Sequence, residues 1–125
     1  MWSRLSVREQ LKIFGLIKGL SGEELEANIR FYCEELDLTQ YMDKLVVNLS
    51  GGNKRKLCVA CTLMGSPLLQ FFDEPSSGVD PVGKRFIWDL LSKSIVFRSA
   101  SGILTTHSMT EAESLCHKIG MVSCN

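Results

Sequence analysis

Two adjacent carboxylates, Asp73 and Glu74, follow the short apolar run LLQFF at residues 68–72. A strand ending in such a pair can deliver one carboxylate to a divalent cation and the next to a water that attacks phosphorus. Upstream, Ser50-Gly51-Gly52 opens a segment with helical periodicity. A helix entered through Ser-Gly-Gly presents unpaired N–H groups and a positive dipole end, which suits a phosphate. Downstream, His107 closes a second apolar run, GILTT. Taken singly these features are ordinary, since acids at strand ends often only cap turns. Together, at two strand ends and a helix start, they point to nucleotide chemistry at one edge of a sheet.

The elements that must carry these residues can be read in order. Ser6-x-x-Glu9 is a capping box, and Val7, Leu11, Phe14 and Ile17 then share one face, which predicts a helix over residues 7–18. Ser21-x-x-Glu24 reads as a second capping box, followed by the stripe Leu25, Ile29, Tyr32, Cys33 and Leu36. Glu23, Glu24 and Glu26 crowd its start, where they favour the helix dipole. Residues 37–49 form a connector. The helix that begins at Ser50 carries Leu57, Val59, Ala60, Cys61, Leu63 and Met64 and is expected to be largely buried. Gly65-Ser66-Pro67 stops it.

Residues 68–72 then read as a continuous buried strand of a parallel sheet. Asp80 caps a fourth helix with Pro81 at its first position, where a missing N–H costs nothing, and Ile87, Leu90 and Leu91 face inward. Residues 102–106 read as a second strand. Ser108-x-x-Glu111 is a third capping box, opening a short helix to about Cys116, and residues 119–123 are expected to form a third strand. Strands alternating with helices predict an α/β fold, a partial P-loop NTPase-like parallel sheet flanked by helices. The first 48 residues are helix only and form an N-terminal all-helical lobe. The expected division is therefore a helical subdomain over residues 1–66 and a catalytic-core part over residues 67–125.

The 125 residues suit one domain. Fourteen basic and fourteen acidic residues give a net charge of zero, which argues against electrostatic capture of nucleic acid or of an anionic membrane. The run Lys54-Arg55-Lys56 is read as a solvated helix face. Five cysteines without pairing rhythm suit reduced thiols in a cytosolic setting. No signal peptide is read at the start, and no apolar run reaches the ~20 residues of a membrane span. Cys58-x-x-Cys61 with Cys116-His117 has half the spacing of a zinc site, but cysteines on a helix usually pack as small hydrophobes. Glu111 and Glu113 read as first-turn helix acids, His117 as a partner of a helix C-terminus, and Trp2 as a packing residue. A Ser50, His107, Asp73 hydrolase triad is excluded by the lack of a nucleophile elbow.

The segments LSGGN, LLQFFDEP and SSGVD, with the strand ending at His107, resemble the signature, Walker B, D-loop and switch-histidine segments of an ATP-binding cassette (ABC) transporter ATPase, in that family's order. LSVREQLKIFGLIKG resembles the start of the family's helical subdomain. GGNKRKL and THSMTEAESLC look most like its A subfamily, whose members mostly move lipids and sterols. The resemblance implies ATP and Mg2+ as ligands. It implies that Asp73 holds the metal, Glu74 polarises the attacking water and His107 contacts the γ-phosphate. Ser50, Gly51, Gly52 and Asn53 would close over a nucleotide held by a second nucleotide-binding domain in a head-to-tail pair, and Asp80 would couple the two sites. Asn53 replaces the glutamine of the commonest signature, in keeping with the A subfamily. Transmembrane domains would be the other partners, which places the chain at the cytoplasmic face of a membrane.

The family's phosphate loop, adenine-stacking aromatic and glutamine loop are not found in this sequence. One string, Gly78-Val-Asp-Pro-Val-Gly83-Lys84, meets the first part of the phosphate-loop pattern. It is rejected because Arg85 stands where a Ser or Thr is required, Pro81 removes an N–H, and no strand precedes it directly. Two readings follow. In a complete domain these residues are part of an ATPase that drives lipid movement. As 125 residues alone they are catalytically incompetent, a binding module that lends its signature segment in trans. Chromosome-maintenance and repair ATPases share a similar signature, but the long heptad coils that accompany it there are not seen.

Overall fold

The computed structural model describes residues 2–97 and 100–122. Three helices come first: α1, Val7–Ile17; α2, Gly22–Glu35; and α3, Gly51–Leu63. Short 3-10 turns at Thr39–Tyr41 and Val46–Asn48 lie in the connector. Strand β1, Leu69–Asp73, leads through α4, Pro81–Phe97, to β2, Ser101–Thr105, and α5 is Met109–Leu115. The two strands pair in parallel, in a register running from Leu69 opposite Ser101 to Asp73 opposite Thr105. Parallel neighbours require a crossover, and α4 supplies it.

Local chemistry accounts for several helix ends. Ser6 Oγ accepts from the Glu9 N–H and Glu9 Oε2 accepts from the Ser6 N–H, at 3.2 and 2.8 Å, so this capping box is complete. Ser50 Oγ accepts from the Asn53 N–H at 3.2 Å. The box expected at Ser21 is not formed, because its side chain makes no cap hydrogen bond. Gly22 opens α2 at φ +55°, which is not the helical geometry that aligns the Glu24 N–H with a cap hydroxyl. At the other end of α3, Lys18 Nζ donates to the carbonyls of Cys61 and Thr62, and Tyr32 OH donates to Leu63 O at 2.8 Å. Three terminal carbonyls of α3 are thereby satisfied by side chains from outside it.

Val7 and Leu11 of α1, Ile29, Tyr32 and Cys33 of α2, and Leu57, Ala60 and Leu63 of α3 form one core. It continues into Ile87, Leu90 and Leu91 of α4 and Phe72 of β1. Each fully buried aliphatic side chain contributes on the order of 1.5–3 kcal/mol. Burial of α3 extends to Lys56, whose ammonium lies 5.0 Å from the centre of the Phe86 ring.

Two expectations for the sheet are corrected. Strand β1 is not buried on both faces: Gln70 and Phe72 point inward, whereas Leu69 and Phe71 are 56% and 65% exposed. The buried Gln70 donates to Pro67 O at 2.9 Å and to Ser94 Oγ at 3.4 Å, so the inward face of β1 carries a hydrogen-bonded amide. No strand forms over residues 119–122, where Met121 and Val122 are exposed, and the last residue of that expected strand lies outside the described residues. Both strands present one residue out of step with the sequence reading, so β1 includes Asp73 and β2 ends at Thr105.

Candidate functional site

Asp73 is the last residue of β1, and Thr105 opposite it is the last of β2. Thr105 Oγ1 donates to Asp73 Oδ1 at 2.5 Å, which fixes one carboxylate oxygen and leaves Oδ2 for another ligand. The ladder runs one bond further, since the Glu74 N–H donates to Thr105 O at 3.0 Å. Glu74 then turns sharply, with φ +48°. A non-glycine residue in this left-handed region costs on the order of 1–3 kcal/mol and needs external support. Arg55 on α3 supplies it. Its Nε donates to Pro75 O at 3.1 Å and its Nη2 to Asp73 O at 3.0 Å, and the same Nη2 donates to Glu74 O. One guanidinium therefore grips three successive carbonyls around the strained residue.

The turn aims Glu74 at His107. Nδ1 of His107 lies 2.8 Å from Glu74 Oε2 and 2.9 Å from Oε1. A ring nitrogen facing a carboxylate at this distance is assigned as the donor, which leaves Nε2 directed away from Glu74. The His107 side chain is 80% exposed and that of Glu74 31%, so this face of the site is open.

A second group gathers at the start of α3. A side-chain carbon placed on Gly52 would lie 3.9 Å from Asp80 Oδ1 and 4.0 Å from Val79, whereas one on Gly51 would meet open space. Asp80 Oδ2 accepts from the Gly83 N–H at 3.0 Å, and that bond is the main reason its carboxyl is held below the usual range. Ser50, Gly51, Gly52, Asn53 and Asp80 thus stand together, as do Asp73, Glu74 and His107. No hydrogen bond among the described residues joins the two groups directly, and Arg55 is the link. Of the three motifs expected at one sheet edge, the carboxylate pair and the histidine are joined by a direct hydrogen bond, that of His107 to Glu74.

The donor set fits magnesium. This ion takes one or two carboxylates and fills its shell with water and phosphate oxygens, and Asp73 offers a free oxygen at a strand end. Among the described residues no cluster of three or more His, Cys, Asp or Glu could form a closed metal cage. Cys61 is buried, with its thiol pushed up to about 12 by burial, while Cys58 is exposed. The string 78–84 lies across a turn and the first turn of α4. A side-chain carbon on Gly83 would lie 2.6 Å from Val79 Cγ1, so close packing accounts for that glycine without any phosphate.

The profile of the ABC transporter family matches residues 1–77, more than half of the chain. The chain belongs to the ABC transporter family. It is 38% identical to human ATP-binding cassette sub-family A member 2 over 98% of its own length and 5% of that protein. It is 35% identical to the human cholesterol transporter ABCA5, covering 98% of the chain and 7% of the relative. With ABC transporter A family member 8 of Arabidopsis thaliana the identity is 42%, over 97% of the chain and 13% of the relative. A solved ATP-binding subunit of an ABC transporter superposes with a TM-score of 0.82 at 25% identity, covering 93% of the chain and 48% of the subunit. The chain is thus part of an ABC transporter nucleotide-binding domain, most like the A subfamily, and spans a small fraction of its curated relatives. Among the described residues no helix is long and apolar enough to cross a membrane.

Several residues of this candidate site are not singled out by sequence reasoning. Arg55 looked like part of a solvated basic run, and only the chain reversal after β1 brings the carbonyls to it. Thr105 was read merely as strand. Glu111 was read as the second half of a capping box, but the box is only half formed. Ser108 Oγ accepts from the Glu111 N–H at 3.4 Å, whereas the Glu111 side chain is directed elsewhere. A threonine facing an acid at two strand ends was the one available signal.

Proposed function

We propose that this chain forms the hydrolytic half of an ATP site in an ABC transporter that moves lipids. Glu74 orients and polarises the attacking water, His107 contacts the γ-phosphate through Nε2, and Asp73 holds Mg2+. The metal would supply charge neutralisation on the phosphate oxygens. Ser50, Gly51, Gly52 and Asn53 serve a nucleotide bound by a second nucleotide-binding domain in a head-to-tail pair, and Asp80 couples the two. Residues 1–66 act as the helical subdomain and residues 67–125 as part of the ATPase core. The domain works at the cytoplasmic face of a membrane, on transmembrane domains.

The observation that carries this reading is the contact between Glu74 and His107 at 2.8 Å, on a strained turn at the carboxyl ends of parallel strands. Strain of this kind concentrates where a side chain must be aimed. The lipid substrate class is supported by the name of one relative, a cholesterol transporter.

The test is Glu74→Gln in the full-length protein. ATP hydrolysis should fall by about 10²- to 10⁴-fold, the usual contribution of a positioned base, while radiolabelled ATP stays bound. Turnover near the wild-type rate would show that Glu74 does not activate the water.

A further inference from the structure

Glu111 is the one acid among the buried polar residues described, at 1% exposure, and the proposed hydrolysis does not use it. Its Oε1 accepts from the Trp88 indole N–H on α4 at 3.0 Å. Its Oε2 accepts from Thr106 Oγ1 at 2.6 Å, and Thr106 Oγ1 accepts in turn from the Ser108 N–H at 3.0 Å. The two residues flanking His107 are therefore held by one chain of hydrogen bonds that runs through Glu111 to α4. The His107 ring has Glu74 as its hydrogen-bond partner and is largely exposed. Among the described residues no packing holds the ring, so its place within this chain depends on the backbone at residues 106–108.

We propose that Glu111 is a positioning residue that acts through Thr106 to hold His107 against Glu74. The proposal rests on the reading that His107 acts in hydrolysis. The chemistry explains why a carboxylate is used. Two donors from two elements, an indole N–H and a hydroxyl, need two acceptors on one side chain. A glutamine can serve the indole, but its NH2 then faces Thr106, and the Thr106 hydroxyl proton loses its acceptor. An alanine leaves both donors without partners. Direct capping does not account for the residue, because the Ser108 N–H is taken by Thr106 and not by Glu111.

The experiment compares full-length protein carrying Glu111→Ala, Glu111→Gln, Thr106→Val, His107→Ala, and the double change of His107 and Glu111 to Ala. Turnover is read as kcat and KM for ATP, and local order as hydrogen exchange of peptides covering residues 104–110. Glu111→Ala and Thr106→Val should lower kcat by roughly ten- to a hundredfold, the scale of a small misplacement of a catalytic group, with KM for ATP within about twofold. Glu111→Gln should fall between Glu111→Ala and wild type, which also covers the case that the alanine variant does not fold. Added to His107→Ala, the Glu111 change should lower kcat no further, since both act at one point. Exchange should rise across residues 106–108 and not in α3.

An equal further loss in the His107→Ala background would place the action of Glu111 elsewhere and overturn the proposal. So would unchanged exchange across residues 106–108, or wild-type kcat in Glu111→Ala and Thr106→Val while His107→Ala is inactive. Wild-type turnover in His107→Ala would instead overturn the reading of His107. The exchange data would then decide separately whether Glu111 holds the segment.

Discussion

Most apolar side chains of residues 7–64 are buried against one another, with Leu16, Ile17, Phe31, Leu45 and Val47 left exposed, whereas β1 and β2 hold Leu69, Phe71 and Ile103 out to solvent. The helical region is ordered by area: Leu11, Ile29, Leu57 and Leu63 are all fully buried, and polar ties such as Tyr32 to Leu63 finish the helix ends. The sheet region is ordered at its functional end by hydrogen bonds. Thr105 fixes Asp73, Arg55 grips the Glu74 turn, and Glu111 ties Thr106 to α4. Hydrophobic burial is non-directional and tolerates small shifts, while a hydrogen bond weakens steeply with angle and distance. A region in which one side chain is aimed at another, as Glu74 is at His107, is better held by the second kind of force.

This contrast can be broken experimentally. The largest effect is expected from Leu57→Ala, which opens a cavity in the helical core and should cost about 2–5 kcal/mol. The matching Phe71→Ala on the exposed face of β1 should stay within about 0.5 kcal/mol. Urea midpoints of the two variants check the difference, and equal losses would show that both regions depend on burial. A smaller loss is expected from Gly15→Ala. A helix interior ordinarily gains about 1 kcal/mol from that change. Here the added carbon would lie 2.3 Å from Leu25 Cδ1 and 2.8 Å from Met64 Cε, and because both side chains are themselves buried in a close-packed core, the overpacking loss of about 1–3 kcal/mol should win and lower the midpoint.

The smallest effect concerns pH. Asp80 is held below the usual carboxylate range, chiefly by the Gly83 N–H. Its depressed value in the folded protein means that its contribution is present above the unfolded value of about 3.9 and is lost as pH falls through the folded value. Asp80→Asn should therefore lower stability slightly near neutrality and flatten the acid limb, so that the variant and the wild type converge at low pH. Chemical denaturation across the acid range reads this directly, and an unchanged acid slope would show that other carboxylates dominate it.

Much of the site could be read without a fold because its logic is local. Ser6 with Glu9 and Ser50 with Asn53 close within a single turn, so spacing alone identifies them. The Asp73-Glu74 pair after an apolar run, and His107 after another, mark strand ends by composition. Where tertiary contacts compete, the local reading fails. Glu111 has the spacing of a capping box, yet Trp88 and Thr106 offer its carboxylate better-placed donors inside the fold. Gln70 sits in an apolar run, yet the sheet turns it inward, where Pro67 and Ser94 receive it.

The amino-acid order by itself determined which residues could do the chemistry, because caps, turns and strand ends depend on neighbours within a few positions. The tertiary structure decided which of them meet. Arg55 reaches the carbonyls of residues 73–75 only because the fold brings the first turns of α3 to the chain reversal after β1. Glu74 reaches His107 only because two strands separated by α4 pair in parallel, in one register. Such contacts depend on distances between elements far apart in the chain, which no local pattern encodes.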